Sequence, residues 1–265
     1  MSIYGIDIGN NSTKISKLNN GIIEINLNNK SERTTKTFIS FKDIRYYGED
    51  AYNQLGTNTN NVCFNFKNQL MDKKIKYKIN YNKNNFDLFS EDLMYLFLSY
   101  IYKTLDKPEV TFSVPFNFNQ SQKEIIRLCA KEIGYQQYNI INNSFALALE
   151  YGFYKSANQI FKEKEKKVIF LDFGENYSEI NIIQFKQWYS CVLISDNILN
   201  LCGYKIKDFL TDHIIENFMK THLINDLKIK QKIFLKIKKE IDISLKILSA
   251  NKTTLFKFDN IYNNI

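Results

Sequence analysis

Two short runs in this chain are of a kind that could hold a phosphate. Asp7-Ile8-Gly9-Asn10-Asn11-Ser12 and Asp172-Phe173-Gly174-Glu175-Asn176-Tyr177 share an aspartate, a glycine two residues on and an asparagine two further, each pair separated by 165 positions. A glycine in a tight turn lets a ligand approach the backbone, whose successive N–H groups form a concave anion site. The aspartate ends the preceding apolar strand and sets a carboxylate beside that site. One such turn is ordinary hairpin chemistry. Two of them, each lying between an apolar strand and an alternating one, read as an internal duplication of a supersecondary unit. The expectation is two lobes whose hairpins face a shared cleft and clasp a polyphosphate from both sides.

A third candidate is Lys67, within Phe64-Asn65-Phe66-Lys67-Asn68. Read by itself, an ammonium among apolar neighbours either snorkels to solvent along its stem or serves a buried anion.

The elements that must position these groups follow from pattern and punctuation. Ile3 to Ile8, Lys14 to Leu18 and Gly21 to Leu27 read as an antiparallel meander joined by Asn-rich turns. Thr37 to Phe41 and Ile44 to Tyr47 continue it, and a short helix starts near Gly48. Lys73 to Lys83 is a polar, hairpin-like patch. Ser90 is placed to cap a helix whose Leu93, Phe97 and Ile101 share a face, and Ser121-Gln122-Lys123-Glu124 reads as a capping box for a second helix that stops at Gly134. Between them Val110 to Val114, with Tyr138 to Ile141 beyond the second helix, gives a βαβ unit. Ser144 caps a helix that Gly152 releases. The meander then repeats as Val168 to Asp172, Ser178 to Phe185 and Trp188 to Ser195, followed by a helix from Lys205 to Lys220, a Lys-rich helix between Leu227 and Leu248, and a strand from Leu255 to Phe258. The class is α/β, organised as a first lobe over 1–154, a charged connection over 155–167 and a second lobe over 168–265 that is incomplete at its C-terminus.

Composition removes several function classes. With 44% hydrophobic and 15% aromatic residues the chain has ample material for packed cores. The formal charge of +8 comes almost wholly from Lys scattered among Asn, Ile and Tyr, with only Arg33, Arg45 and Arg127 beside them, so a nucleic-acid interface is not expected. No apolar run is long enough for a bilayer span and the first strand leaves no room for a leader, so no membrane partner is expected and the cytoplasm is the expected compartment. Cys63, Cys129, Cys191 and Cys202 lack metal-site spacing and read as reduced core residues; His213 and His222, nine apart, read as structural.

Several stretches resemble the ATPase domain of the seventy-kilodalton heat-shock proteins, a two-lobed actin-like, ribonuclease H-like fold. Gly5-Ile6-Asp7-Ile8-Gly9 resembles the first phosphate loop and Leu171-Asp172-Phe173-Gly174 the second. Ser113-Val114-Pro115-Phe116-Asn117-Phe118 is similar to the loop before the lobe crossing, and Ile140-Ile141-Asn142-Asn143-Ser144-Phe145-Ala146-Leu147-Ala148-Leu149-Glu150-Tyr151-Gly152 to the crossing helix. Gly9-Asn10-Asn11-Ser12, Tyr151 to Lys155 with the charged run behind it, and Leu248-Ser249-Ala250-Asn251 look closer to the hundred-and-ten-kilodalton class, which binds ATP and acts chiefly as a nucleotide-exchange partner and holdase.

The resemblance implies ATP and magnesium as ligands. The backbone around Gly9, Asn10, Asn11 and Ser12, with Gly174, Glu175 and Asn176 opposite, holds phosphates; Asp7 and Asp172 hold magnesium through water; Lys67 reaches the phosphates; Asp242, Lys246 and Ser249 match the stretch that contacts ribose and adenine. It implies a seventy-kilodalton chaperone as partner and unfolded polypeptide as a second. The departures bear on chemistry. Asn143 stands where hydrolytic members have a glutamate, and an amide cannot accept a proton as a carboxylate does. Asn10 and Tyr177 each replace a threonine, and Glu175 replaces a glycine, setting a negative charge beside the phosphates. ATPase activity is residual at most on this reading, and binding weak. Its alternatives are an active chaperone ATPase fragment and an interaction scaffold that has lost nucleotide.

Overall fold

The computed structural model describes residues 2–106, 108–157, 165–186, 189–224 and 231–256. In β1 (Ser2–Asp7) Tyr4 and Ile6 turn into the core, while Asp7 ends the strand on the other face. β2 (Ser12–Asn19) and β3 (Ile22–Ile25) return antiparallel through a two-residue turn at Asn20 and Gly21, φ 49° and 80°, the twist that an Asn-Gly pair supplies. β4 (Thr35–Lys36) pairs with β2, and β5 (Ile39–Phe41), β6 (Arg45–Tyr47) and β7 (Val62–Cys63) form a small separate sheet around α1 (Gly48–Tyr52). A 3-10 turn over Phe66–Gln69 follows, and the Lys-rich patch is a hairpin of β8 (Tyr77–Tyr81) and β9 (Asn84–Leu88).

α2 (Ser90–Lys103), β10 (Pro108–Val114), α3 (Gln120–Ile133) and β11 (Gln137–Asn142) complete the first sheet, in the order β11-β10-β1-β2-β3, with β10 and β11 parallel to each other and to β1. The largest core lies on the face that β10 loads with Val110, Phe112 and Val114; Leu93, Phe97 and Ile101 of α2 and Ile126 and Cys129 of α3 pack on it.

α4 (Asn143–Ala157) then touches β10 and β11 at one end and the next sheet at the other. That sheet is the antiparallel series β12 (Lys166–Phe173), β13 (Ser178–Lys186) and β14 (Tyr189–Ile198), its inner face packing Ile183 and Phe185 against Ala148. α5 (Gly203–Thr221) and α6 (Gln231–Leu248) pack on each other. The end of α6 nearest β1's lobe docks on the α1 region: Leu235 joins the cluster of Phe38, Ala51 and Leu55, and the Lys239 ammonium donates to Asn53 Oδ1 at 3.0 Å. The mixed α/β class agrees with the expectation from sequence.

Local details differ. α2 starts at Ser90 itself; the Phe89 N–H is met by Asp92, while the buried Ser90 hydroxyl has no partner among the described residues. Asn119, not Ser121, caps α3, exchanging reciprocal hydrogen bonds with Gln122, because the box begins two residues earlier. Gly152 does not end α4, which runs on to Ala157; a Cβ there would make ordinary contact with the Phe185 ring, at 3.6 Å. Cys191 is exposed on β14, while the other three cysteines are buried. The strand expected from Leu255 falls partly outside the described residues, and Leu255 and Phe256 are not in a strand. The charged connection likewise lies largely outside them. No helix among the described residues is long and apolar enough to cross a membrane.

Candidate functional site

The two hairpin tips meet at one cavity of about 290 Å³. Asp7 reaches it from the end of β1 and Asp172 from the end of β12, the two strands on which each hairpin is built. Gly9 and Gly174 line it, and each fills a place no side chain could occupy. A Cβ on Gly9 would sit 2.1 Å from the Ser12 carbonyl oxygen, and one on Gly174 would sit 2.4 Å from that of Tyr177. Asn10, Asn11, Ser12 and Glu175 complete the rims. The buried Asn10 side chain leaves Oδ1 without a partner among the described residues, as a group waiting for a ligand or water would.

Lys67 settles the choice between snorkelling and burial. It is 4% exposed, its ammonium lies 5.8 Å from the Phe118 ring centre, and it lines the cavity. Burial lowers its pKa, and Asp7, Glu179 and Asp172, in that order, oppose the fall. A buried cation surrounded by three carboxylates and a polar cavity is placed to meet an anion.

Four carboxylates (Asp7, Asp172, Glu175 and Glu179) and two ammonium groups (Lys14 and Lys67) line this space. Among the described residues no three acidic, histidine or cysteine side chains converge closely enough to ligate a metal alone. Magnesium keeps most of its waters and leans on one or two carboxylates plus the phosphates of its ligand, and Asp7 and Asp172 are two carboxylates that line this space.

Glu175 behaves differently from its sequence reading. Its carboxylate does not stand free beside the phosphates: it ion-pairs with the buried Lys207 ammonium of α5, which also reaches Asp242 Oδ1 of α6 at 3.2 Å. Burial pulls the Lys207 pKa down, but Glu175 and Asp242 together outweigh it and hold the ammonium above its ordinary range. Asp242 Oδ2 accepts from the Tyr52 hydroxyl at 2.7 Å, so the network runs from the second hairpin through α5 and α6 to α1. The Gly203 N–H donates to Gly174 O and the Tyr204 N–H to Glu175 O, stapling the hairpin to the start of α5.

Of the residues singled out from sequence, Asp7, Gly9, Asn10, Asn11, Ser12, Lys67, Asp172, Gly174 and Glu175 share the cavity. Asp242 lies in an adjoining chamber. Asn176 is outside both, its Oδ1 buried and unpaired among the described residues. Lys246 and Ser249 are exposed and also outside, and the Ser249 hydroxyl donates to the Lys246 carbonyl at 2.7 Å. Sequence reasoning missed Lys14, Glu179 and Lys207. Strand alternation from Tyr177 through Glu179 to Asn181 would have found the second. Glu179 is 2% exposed and its pKa is raised, first by burial and then by Asp172.

A family model described as Hsp70 protein matches residues 3–94 and 97–264. The chain is 27% identical to the Heat shock 70 kDa protein 4 of Homo sapiens, over 96% of this chain and 34% of that protein. It is 27% identical to the 97 kDa heat shock protein of Strongylocentrotus purpuratus, over 96% of this chain and 32% of the other. To a heat shock protein homolog of Lachancea kluyveri it is 24% identical, over the whole chain and 43% of the relative. The chain thus spans about a third of the length of the first of these relatives.

Proposed function

Since the chain belongs to the Hsp70 protein family, we propose that it binds ATP with magnesium between the two hairpins, hydrolyses it little or not at all, and acts as a nucleotide-exchange partner or holdase for a seventy-kilodalton chaperone in the cytoplasm. The observation that carries the nucleotide part is the convergence of Asp7, Asp172 and the buried Lys67 on one cavity, between two glycine turns. The proposed lobes are 1–154 and 168–265, joined by 155–167. Magnesium would supply charge neutralisation at the phosphates, and Asp7 and Asp172 would hold it through water. The backbone at Gly9 to Ser12 and at Gly174 would position phosphate oxygens, and the Lys67 ammonium would face them.

Slow turnover follows from which groups can move a proton. Asn143 lines the cavity at the start of α4 but is an amide. Glu179, the nearest buried carboxylate, is held toward its neutral form by burial and by Asp172. The exchange role rests on resemblance to the large heat-shock class.

A second reading, an interaction scaffold without nucleotide, draws on the second hairpin, where the half-buried Tyr177 lies near Asp172 and Glu179 and where Lys207 has taken up the charge of Glu175. Calorimetry with ATP and magnesium separates the two. Heat of binding is expected for the parent chain, with affinity lowered at least about tenfold in Lys67→Ala and in Asp7→Ala, the loss of roughly one charge-assisted contact. No heat from the parent leaves only the scaffold. Nucleotide release from a partner chaperone, unchanged on adding this chain, would remove the exchange role.

A further inference from the structure

The connection from β3 to β4 and the end of α2 enclose a cavity of about 330 Å³, larger than the phosphate cavity and sharing no lining residue with it. Ile15 and Ile101, both buried, and Leu27 give it apolar walls. The loop at its mouth is tied together by one side chain. Asn28 Oδ1 accepts from the Lys30 and Glu32 N–H groups, both at 2.9 Å, and its Nδ2 donates to Thr34 O at 2.9 Å and to Glu49 Oε2 at 3.4 Å. Lys30 also ion-pairs with Asp50 of α1. A mouth fixed in this way loses little freedom when a ligand enters.

The charge that faces this space is positive. The exposed Arg33 guanidinium lines it and makes no ion pair or hydrogen bond among the described residues. The Tyr100 ring, stacked on Tyr47 with ring centres 4.7 Å apart, lines it too, and its hydroxyl has no hydrogen-bond partner among the described residues. Burial first, then Glu49 and Asp50, raises the Tyr100 pKa, which keeps that hydroxyl protonated and able to donate. No carboxylate lines the cavity among the described residues. Glu49, near enough to act on Tyr100, is already engaged by Asn28 and by the Lys36 N–H at 3.0 Å.

We propose that this cavity is a second ligand site, separate from the nucleotide cleft, which takes a small organic carboxylate, its charge met by the Arg33 fork and its apolar body lying against Ile15, Leu27 and Ile101. Three observations carry it. An unpaired guanidinium presents a planar pair of donors that fits a carboxylate bidentately, and such charge-assisted bonds are about twice as strong as neutral ones. One cation without a second beside it balances a single negative charge, and the apolar walls favour a ligand with a hydrocarbon body over inorganic phosphate. The volume lies within the range of small-ligand pockets, about 300–1,000 Å³.

The test titrates benzoate, benzamide and inorganic phosphate into the full chain, with binding followed by NMR. Benzoate is expected to bind saturably with Kd of about 1 mM, and benzamide, of the same shape without the charge, at least about tenfold more weakly. Phosphate is expected to bind more weakly than benzoate. Arg33→Met should weaken benzoate about tenfold and leave benzamide unchanged, Arg33→Lys should recover part of that loss, and Tyr100→Phe should cost about threefold. Arg127→Met, at an exposed arginine outside the cavity, should leave benzoate binding as it is. Because Arg33 is exposed and unpaired, its variants should melt with the parent, so a lost affinity is not a lost fold. ATP with magnesium should not displace benzoate, an outcome that holds whether or not the nucleotide reading does. The proposal is overturned if benzoate does not saturate the parent, if Arg33→Met binds it as tightly as the parent does, or if Arg127→Met loses as much. Phosphate binding more tightly than benzoate would overturn the carboxylate class, and displacement of benzoate by ATP would overturn the separate site.

Discussion

The two hairpins share one geometry and differ in what they do with charge. In each, an aspartate lies at or one residue before the end of the first strand and pairs directly across with the residue seven positions later: Asp7 with Lys14, Asp172 with Glu179. In each, the missing Cβ of the glycine lies against the carbonyl oxygen three residues on. In each, a buried hydroxyl anchors the turn from behind, Thr13 to the Thr37 hydroxyl at 3.0 Å and Ser178 to the Leu201 carbonyl. The first hairpin sets opposite charges across its strands, at the rim, with Asp7 and Lys14 4.0 Å apart and half exposed. The second sets like charges across, buries one of them, and carries a further carboxylate that a lysine from α5 must neutralise. The lesson is that the two hairpins share a backbone shape while differing in the charge they carry.

The largest test of that difference removes the neutralising lysine. Lys207→Met leaves Glu175 and Asp242 without their cation in a partly desolvated site, and breaking such a pair costs about 3–5 kcal/mol. For a chain of this size that lowers Tm by roughly 10 °C, and Glu175→Gln added to it should recover a large part. Lys14→Met, at the equivalent rim of the first hairpin, should cost less than about 1 kcal/mol because an exposed pair is worth little. Equal losses at the two positions would end the argument for asymmetry.

Next in size is the pair Gly9→Ala and Gly174→Ala. Both place a Cβ on a backbone oxygen, so both turns must open. If phosphates rest chiefly on the first turn, Gly9→Ala should weaken ATP binding about a hundredfold and Gly174→Ala about tenfold, with each tenfold step worth about 1.4 kcal/mol. The reverse order would move the phosphate cradle to the second hairpin.

How much of this was legible in the sequence depends on the range of the signal. The duplicated turns, the parallel βαβ unit and the helix after Ser144 are local patterns of glycine, alternation and apolar runs, legible at residues such as Gly9, Gly134 and Val110. The cap positions at Phe89 and Asn119 were misplaced by one or two residues because Ser, Asn and Gln in succession offer several equivalent starts. Lys207 was not legible. A glutamate replacing a glycine in a buried turn requires a cation, but the sequence offers 36 basic residues, and only the docking of α5 on Gly174 and Glu175 chooses among them. Lys67 was ambiguous for the same reason, since its burial depends on β1, β12 and β13 arriving around it.

The finest distinction between the hairpins is the response to pH of the residue opposite each aspartate. The Glu179 pKa is raised in the folded chain from its ordinary 4.5, by burial first and Asp172 second. A raised folded value means that the folded state holds the proton more tightly than the unfolded one. The stabilisation from Glu179 is therefore fully present below the ordinary glutamate range and is lost as pH rises through the folded value. Glu179→Gln mimics the protonated group at every pH. The parent and this variant should melt together near about pH 4, and the variant should melt about 2–3 °C higher by about pH 8, the size of roughly 1 kcal/mol in a chain of this length. Lys14→Gln should show no such divergence over the same interval, because an exposed ion pair contributes little at any point. Bound magnesium would reduce the Glu179 difference by screening Asp172, so melts repeated with and without ATP and magnesium also report whether the cation sits between the two aspartates. A Glu179→Gln variant that is less stable than the parent at about pH 8 would mean that the carboxylate is ionised and well paired in the folded chain, and the second hairpin would then be an electrostatic equal of the first.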